Sequence, residues 1–216
     1  MITPMATGDV IVFIGDSITV SDRRTDRLGL GYGYVDMVAR TLAGRGDAST
    51  VINTGIAGNR ITHLQQRWQA DVLEHAPTAL SVYIGVNDTL AAFFEGRPTP
   101  PSVFGDRYTD ILDRTVAAGV TRLVLVEPFF VDTVLASVRW GEGHDFIHED
   151  LAPKRAVVRS LAARYGAGFV PLQSLVDAAA EERGPTMVAA DGVHPTPLGC
   201  RLIADAWLQA WDSLPR

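Results

Sequence analysis

Five short stretches along the chain carry the mark of buried strands. The first, Val10-Ile11-Val12-Phe13-Ile14, is continuously apolar and lies between Gly8-Asp9 and Gly15. Residues 50–53, 79–84, 122–126 and 168–171 follow, each bounded by turn-forming or polar residues. Runs of this kind fit strands covered on both faces. Between them the apolar positions change to helical spacing. Tyr34, Val35, Val38 and Leu42 mark a helix over 33–43, and Leu64, Trp68, Val72 and Leu73 mark one over 62–75 that Pro77 stops. Pro100-Pro101-Ser102 opens a third helix whose stripe is Tyr108, Ile111, Leu112 and Thr115, ending before Gly119. A fourth covers about 147–165. The last runs from Pro197 to about Trp211, with Thr196 in the N-cap position. Residues 20–32 and 129–145 are the long loops.

Strands alternating with helices of ten or more residues imply crossover connections. The expectation is an α/β fold: a three-layer α/β/α sandwich around a mostly parallel sheet of about five strands. No repeat, low-complexity segment or linker divides the chain, so 1–216 is expected to form a single domain. Ligands of such sheets gather beyond the carboxyl ends of the strands, which makes the two long loops the expected rims of a site.

Composition narrows the function. The 216 residues are 47% hydrophobic and 20% charged, ordinary for a globular protein. A net charge of −6 and scattered arginines, with Arg23-Arg24 the only adjacent arginine pair, argue against a nucleic-acid partner. Cys200 is the single cysteine, so no intrachain disulfide can form. No stretch matches a signal peptide or a membrane span, and the expectation is a cytoplasmic protein without a membrane partner. The oligomeric state stays open, a homo-oligomer included.

The chemistry sits at the strand ends. Ser17, in Gly15-Asp16-Ser17-Ile18, follows the first strand directly, and Asp191-Gly192-Val193-His194-Pro195 supplies an acid and an imidazole three residues apart. A serine hydroxyl needs a general base, and the base works best when a carboxylate fixes its tautomer. Asp191 can fold back on Nδ1 of His194 and leave Nε2 for Ser17. Attack on a carbonyl also needs donors for the oxyanion. The Ser17 N–H, the Gly58 N–H in the segment 53–59 and the Asn87 side chain in Gly85-Val86-Asn87-Asp88 are the candidates, each after a successive strand. Asp16, Asn59 and Asp88 stand beside them as supporting residues.

Taken in order, Gly15-Asp16-Ser17-Ile18, Gly58-Asn59, Gly85-Val86-Asn87-Asp88 and Asp191-Gly192-Val193-His194-Pro195 resemble the four blocks of the SGNH (GDSL-type) esterases and lipases. The resemblance runs from Gly15 to His194 and implies a flavodoxin-like SGNH-hydrolase fold. It also implies Ser17 as nucleophile, His194 as base oriented by Asp191, and Gly58 and Asn87 as the rest of the oxyanion hole. Ile18 stands where the family's name has leucine. Gly31-Tyr32-Gly33-Tyr34-Val35, the segments 53–59 and 67–72, and residues 191–199 are similar to the cytoplasmic xylan-acetyl esterase branch. That likeness implies O-acetyl groups of xylo-oligosaccharides as substrate. Some members of the branch carry an aromatic residue before the acid; Ala190 stands here.

The expected activity is thus a serine esterase acting on small-molecule or oligosaccharide short-acyl esters, with no cofactor and no metal. A lysophospholipase or acyl-thioesterase is the alternative, and a non-catalytic carbohydrate-binding module the rival of another class. His144 and His148 have a spacing that can hold a metal on a helix, but they read as a solvated helix start. Trp68 reads as core and Cys200 as a small buried hydrophobe. Phe129, Phe130 and Trp140, in or near a rim loop, are the candidate sugar platforms.

Overall fold

The computed structural model describes residues 8–140 and 144–215. Five strands form one sheet: β1 (Val10–Gly15), β2 (Thr50–Asn53), β3 (Ala79–Tyr83), β4 (Arg122–Val126) and β5 (Gly168–Val170). Their order across the sheet is β2-β1-β3-β4-β5, with every pairing parallel. The helices are α1 (Ser17–Val20), α2 (Tyr34–Gly44), α3 (Ile61–Asp71), α4 (Val86–Glu95), α5 (Pro101–Ala117), α6 (Val134–Trp140), α7 (His144–Tyr165), α8 (Leu172–Arg183), α9 (Pro185–Val188) and α10 (Pro197–Asp212).

The unbroken apolar runs are explained by burial on both faces. Ile11, Phe13, Ala79, Tyr83, Val124 and Val126 pack on α2, α8 and α10. Their strand neighbours Val12, Ile14, Leu80, Val82, Leu123 and Leu125 pack on α3, α5 and α7. This two-residue alternation is the pleat itself. Ser81, a buried polar side chain in the central strand β3, accepts a hydrogen bond from the Trp207 indole at 2.9 Å. Trp68 is core as expected, fully buried and donating to Thr115 Oγ1 at 3.1 Å. Cys200 is also buried.

The chain crosses from β1 to β2 on one side and then back past β1 to β3 on the other. That reversal puts the topological switch point between the carboxyl ends of β1 and β3, where α1 begins at Ser17 and Asn87 lies in the first turn of α4. The Thr196 cap is present, its Oγ1 accepting from Gly199 N.

Several expectations are corrected. The helix expected over 62–75 ends at Asp71, and a separate turn covers Leu73–His75. The loop expected over 129–145 contains α6 and the start of α7. Helices α4 and α8 had no counterpart in the sequence reading. The stripe of α8 is sparse, with Leu172 and Val176 its only fully buried residues.

Candidate active site

Ser17 is presented by a sharp turn out of β1. A side chain at Gly15 would place a Cβ 2.4 Å from Tyr83 O and 2.3 Å from Thr19 Oγ1, so only glycine lets the strand end so close to β3. Asp16 caps α1: its Oδ1 accepts from Ile18 N at 3.0 Å, which fixes the Ser17 backbone between them. The Ser17 hydroxyl then lies 3.0 Å from His194 Nε2.

Asp191 and His194 sit on the loop before α10. The imidazole Nδ1 is 2.8 Å from Asp191 Oδ2, and Asp191 Oδ1 accepts from His194 N at 2.8 Å and Val193 N at 3.1 Å. Burial alone would push the Asp191 carboxyl up. The His194 ring and the two backbone donors outweigh it and hold the carboxyl below the usual range. His194 stays 46% exposed, so Nε2 remains within reach of a substrate. The serine, imidazole and carboxylate of the sequence reading are therefore brought into one hydrogen-bonded line.

The loop carrying them is supported from below. Gly192 has φ +85°, and a Cβ there would fall 2.7 Å from Val131 O and 2.9 Å from the Phe130 ring. Val131 N donates to Gly192 O at 3.0 Å, and Thr133 Oγ1 donates to Ala190 O at 2.8 Å. Gln173 clamps Phe130 by donating to its carbonyl and accepting from its N–H. Phe129 and Phe130 are thus not sugar platforms: they are 1% and 0% exposed. Two adjacent aromatics after a strand serve here as the floor of the Asp191–His194 loop. The side chains of Trp140 and His144 lie outside the described residues. His148 Nε2 is 3.2 Å from Asp132 Oδ2.

The oxyanion candidates occupy neighbouring strand ends. Gly58 has φ +74° in a turn closed by Asn59 N donating to Ile56 O at 3.3 Å, a conformation suited to glycine. Asn87 lies in the first turn of α4 and gives one amide N–H to Asn59 O at 3.1 Å. Its second N–H donates to no protein acceptor among the described residues. Asp88, the next residue, accepts from Ile61 N at 3.1 Å and so ties the start of α4 to the start of α3. Asp88 and Asp16 are deeply buried, and burial chiefly raises them, to about 6 and about 7.

A cavity of about 310 Å³ opens beside Ser17 and His194, lined also by Ser21, Asp22, Ala57 and Pro195. A larger one, about 810 Å³, lies at the opposite edge of the sheet around Asp9, Arg45, Arg122 and Asp212. Its charges pair with one another, Arg45 with Asp212 and Arg122 with Asp9. Of the two, only the smaller cavity holds a hydroxyl and an imidazole in hydrogen-bond contact. Among the described residues no group of three or more His, Cys, Asp or Glu side chains could hold a metal ion.

Two residues that sequence reasoning did not single out belong to this region. Asn53 Nδ2 donates to Thr19 O and Leu30 O, while its Oδ1 accepts from Gly55 N. Arg67 reaches from α3 to Gly15 O, Thr54 O and Asn59 Oδ1.

Residues 13–202 match the profile of the GDSL-like lipase/acylhydrolase family. An acetylxylan esterase of Geobacillus stearothermophilus is 29% identical over 215 residues, covering 95% of this chain and 94% of that protein. The crystal structure of Axe2, an acetylxylan esterase from Geobacillus stearothermophilus, superposes with a TM-score of 0.83 at 26% identity, with 98% of each chain covered. LAE5, an alpha/beta hydrolase enzyme from the metagenome of Lake Arreo in Spain, gives a TM-score of 0.83 at 27% identity, covering 98% of this chain and 99% of that one.

Proposed function

Because the chain belongs to the GDSL-like lipase/acylhydrolase family and is a carboxylic ester hydrolase, we propose that it is a serine esterase removing O-acetyl groups from xylo-oligosaccharides. The observation that carries the catalytic part is the continuous line from Ser17 Oγ to His194 Nε2 at 3.0 Å and from His194 Nδ1 to Asp191 Oδ2 at 2.8 Å.

In this reading His194 Nε2 takes the Ser17 proton as Oγ attacks the ester carbonyl. The carbonyl π pair moves onto oxygen, where the Ser17 N–H, the Gly58 N–H and the free Asn87 N–H receive it. Collapse breaks the ester C–O bond, and His194 returns its proton to the departing alcohol. Water then repeats the sequence on the acyl-enzyme and releases acetate and free Ser17. Neither the Ser17 N–H nor the Gly58 N–H donates to a protein acceptor among the described residues, which supports their assignment. Asp191, held as carboxylate, keeps the imidazole in the tautomer this cycle needs.

Support for a short acyl group comes from the cavity, which at about 310 Å³ is at the small end for a ligand site. The sugar alcohol rests on likeness to the acetylxylan esterases. A lipolytic reading is favoured by a different observation. Val134, Leu135 and Val138 of α6 are exposed beside the bond from Thr133 to the Asp191–His194 loop. A cytoplasmic setting goes with the oligosaccharide reading, and the single continuous sheet supports one domain over the whole chain. No helix among the described residues is long and apolar enough to cross a membrane.

The test is turnover of p-nitrophenyl acetate and acetate release from acetylated xylo-oligosaccharides, by wild type and Ser17→Ala. The substitution is expected to cost on the order of 10⁴–10⁶-fold in kcat. A wild-type rate in the variant removes Ser17 from the mechanism. A preference for octanoyl over acetyl esters, or for lysophospholipid over the sugar acetates, would favour the lipolytic reading instead.

A further inference from the structure

Arg67 lies on α3, whose first turn follows the Gly58 turn. Its side chain is only 14% exposed, and the guanidinium spends its donors in four directions. Nε donates to Asn59 Oδ1 at 2.8 Å. Nη1 donates to Thr54 O and to Asp71 Oδ2, both at 2.6 Å. Nη2 donates to Gly15 O at 3.1 Å. The contact with Asp71 is an ordinary i,i+4 helix pair. The other three leave the helix, and each ends on a segment that carries part of the site.

Gly15 is two residues before Ser17. Thr54 begins the loop that leads to Gly58. Asn59 closes the Gly58 turn through its N–H to Ile56 O, and its own carbonyl receives the Asn87 amide. Among the described residues Asn59 is thus joined to both the Gly58 turn and the Asn87 side chain, and Arg67 holds the Asn59 side chain. A planar fork with fixed donor directions suits this task. Lysine, a point charge on a flexible stem, cannot satisfy Asn59, Thr54 and Gly15 together.

We infer that Arg67 is the positioning residue of the oxyanion hole, setting the Gly58 N–H and the Asn87 amide relative to Ser17 through Asn59. The inference rests on the esterase reading of the site. Arg67 touches no reacting atom. Its contribution is to keep donors where charge develops, and displacement of such groups by about 1 Å can cost about a hundredfold in rate. Loss of Arg67 therefore falls on kcat, while substrate binding, which does not use the developing oxyanion, is largely kept.

The experiment is a double-substitution cycle with Arg67→Met and Asn59→Ala, read by p-nitrophenyl acetate kinetics beside wild type and Ser17→Ala. Arg67→Met is expected to lower kcat about 30- to 100-fold, with KM changed less than about threefold. The double variant should be no slower than the slower single one, because both remove the same constraint. Added guanidinium at tens of millimolar should restore part of the kcat of Arg67→Ala, a response that a merely stabilising residue would not give. If the methionine and alanine variants fail to fold, Arg67→Lys serves: it keeps the charge and the Asp71 pair but is expected to lose at least about tenfold in kcat. A folded Arg67 variant with wild-type kcat, or losses in the cycle that simply multiply, overturns the inference. If Ser17→Ala keeps the wild-type rate, the esterase reading of the site fails instead, whatever the Arg67 variants do.

Discussion

Asp16 is a carboxylate whose burial sets a measurable pH dependence. It lies one residue from Ser17, fully enclosed, and burial pushes its carboxyl up to about 7, with the Ile18 N–H offsetting part of the rise. An unfolded aspartate titrates near pH 4. Between about pH 4 and 7 the folded protein therefore keeps a proton that the unfolded chain has lost. The stability from this group is full below that window and drains away as pH rises through it. Asp88, raised to about 6, acts in the same direction over a narrower window. Asp191, held low, acts oppositely, and its contribution is lost only in strong acid. Asp16→Asn keeps an acceptor for Ile18 N and cannot ionise. Thermal unfolding of wild type should therefore fall between pH 5 and pH 8 by about 3 °C or more beyond any fall in the variant. Parallel curves would show that Asp16 does not carry this dependence.

At the scale of elements, the loop between α9 and α10 is built around Gly192. Its left-handed backbone and the closeness of Val131 O leave no room for a Cβ. Gly192→Ala is expected to cost about 2 kcal/mol or more and to lower kcat, because Asp191 and His194 flank the distorted residue. A melting temperature and kcat both equal to wild type would contradict this. The same loop shows what could be read from the chain beforehand. An acid and a histidine three residues apart carry their geometry in the spacing, and Ser17 carries its own in the glycine before it. The five strands were legible because burial on both faces makes them uniformly apolar. Helix α4 was hidden because its N-cap is Gly85, with φ +135°, and its first turn holds Asn87-Asp88, which reads as a turn. Phe129 and Phe130 misled because apolar residues after a strand can face either a rim or a floor; Gln173, 43 residues from Phe130, decides for the floor. Arg67 enters the sequence reading only as the first residue of the 67–72 likeness, without a role, for a similar reason. Its partners Gly15 and Thr54 lie 52 and 13 residues away, and nothing in the local pattern of α3 marks a cation that leaves the helix.

For the molecule as a whole, one sheet brings four distant segments to a single edge. The β2-β1-β3-β4-β5 order puts the ends of β1, β2 and β3 side by side, and with them Ser17, Gly58 and Asn87. The loop from the far end of the chain then closes over Ser17 with His194. The two sides of the Ser17–His194 contact are 177 residues apart in sequence, so the proposed site exists only when the sheet and the packing of α10 on it are complete. Activity and global folding should be lost together. The central claim is that this edge makes Ser17 the nucleophile. A fluorophosphonate probe reacted with the native protein, followed by peptide mass spectrometry, tests it most directly. The account predicts one adduct, on the peptide containing Ser17, and none in Ser17→Ala. An active protein left unlabelled, or an adduct on another residue that persists in Ser17→Ala, would contradict it.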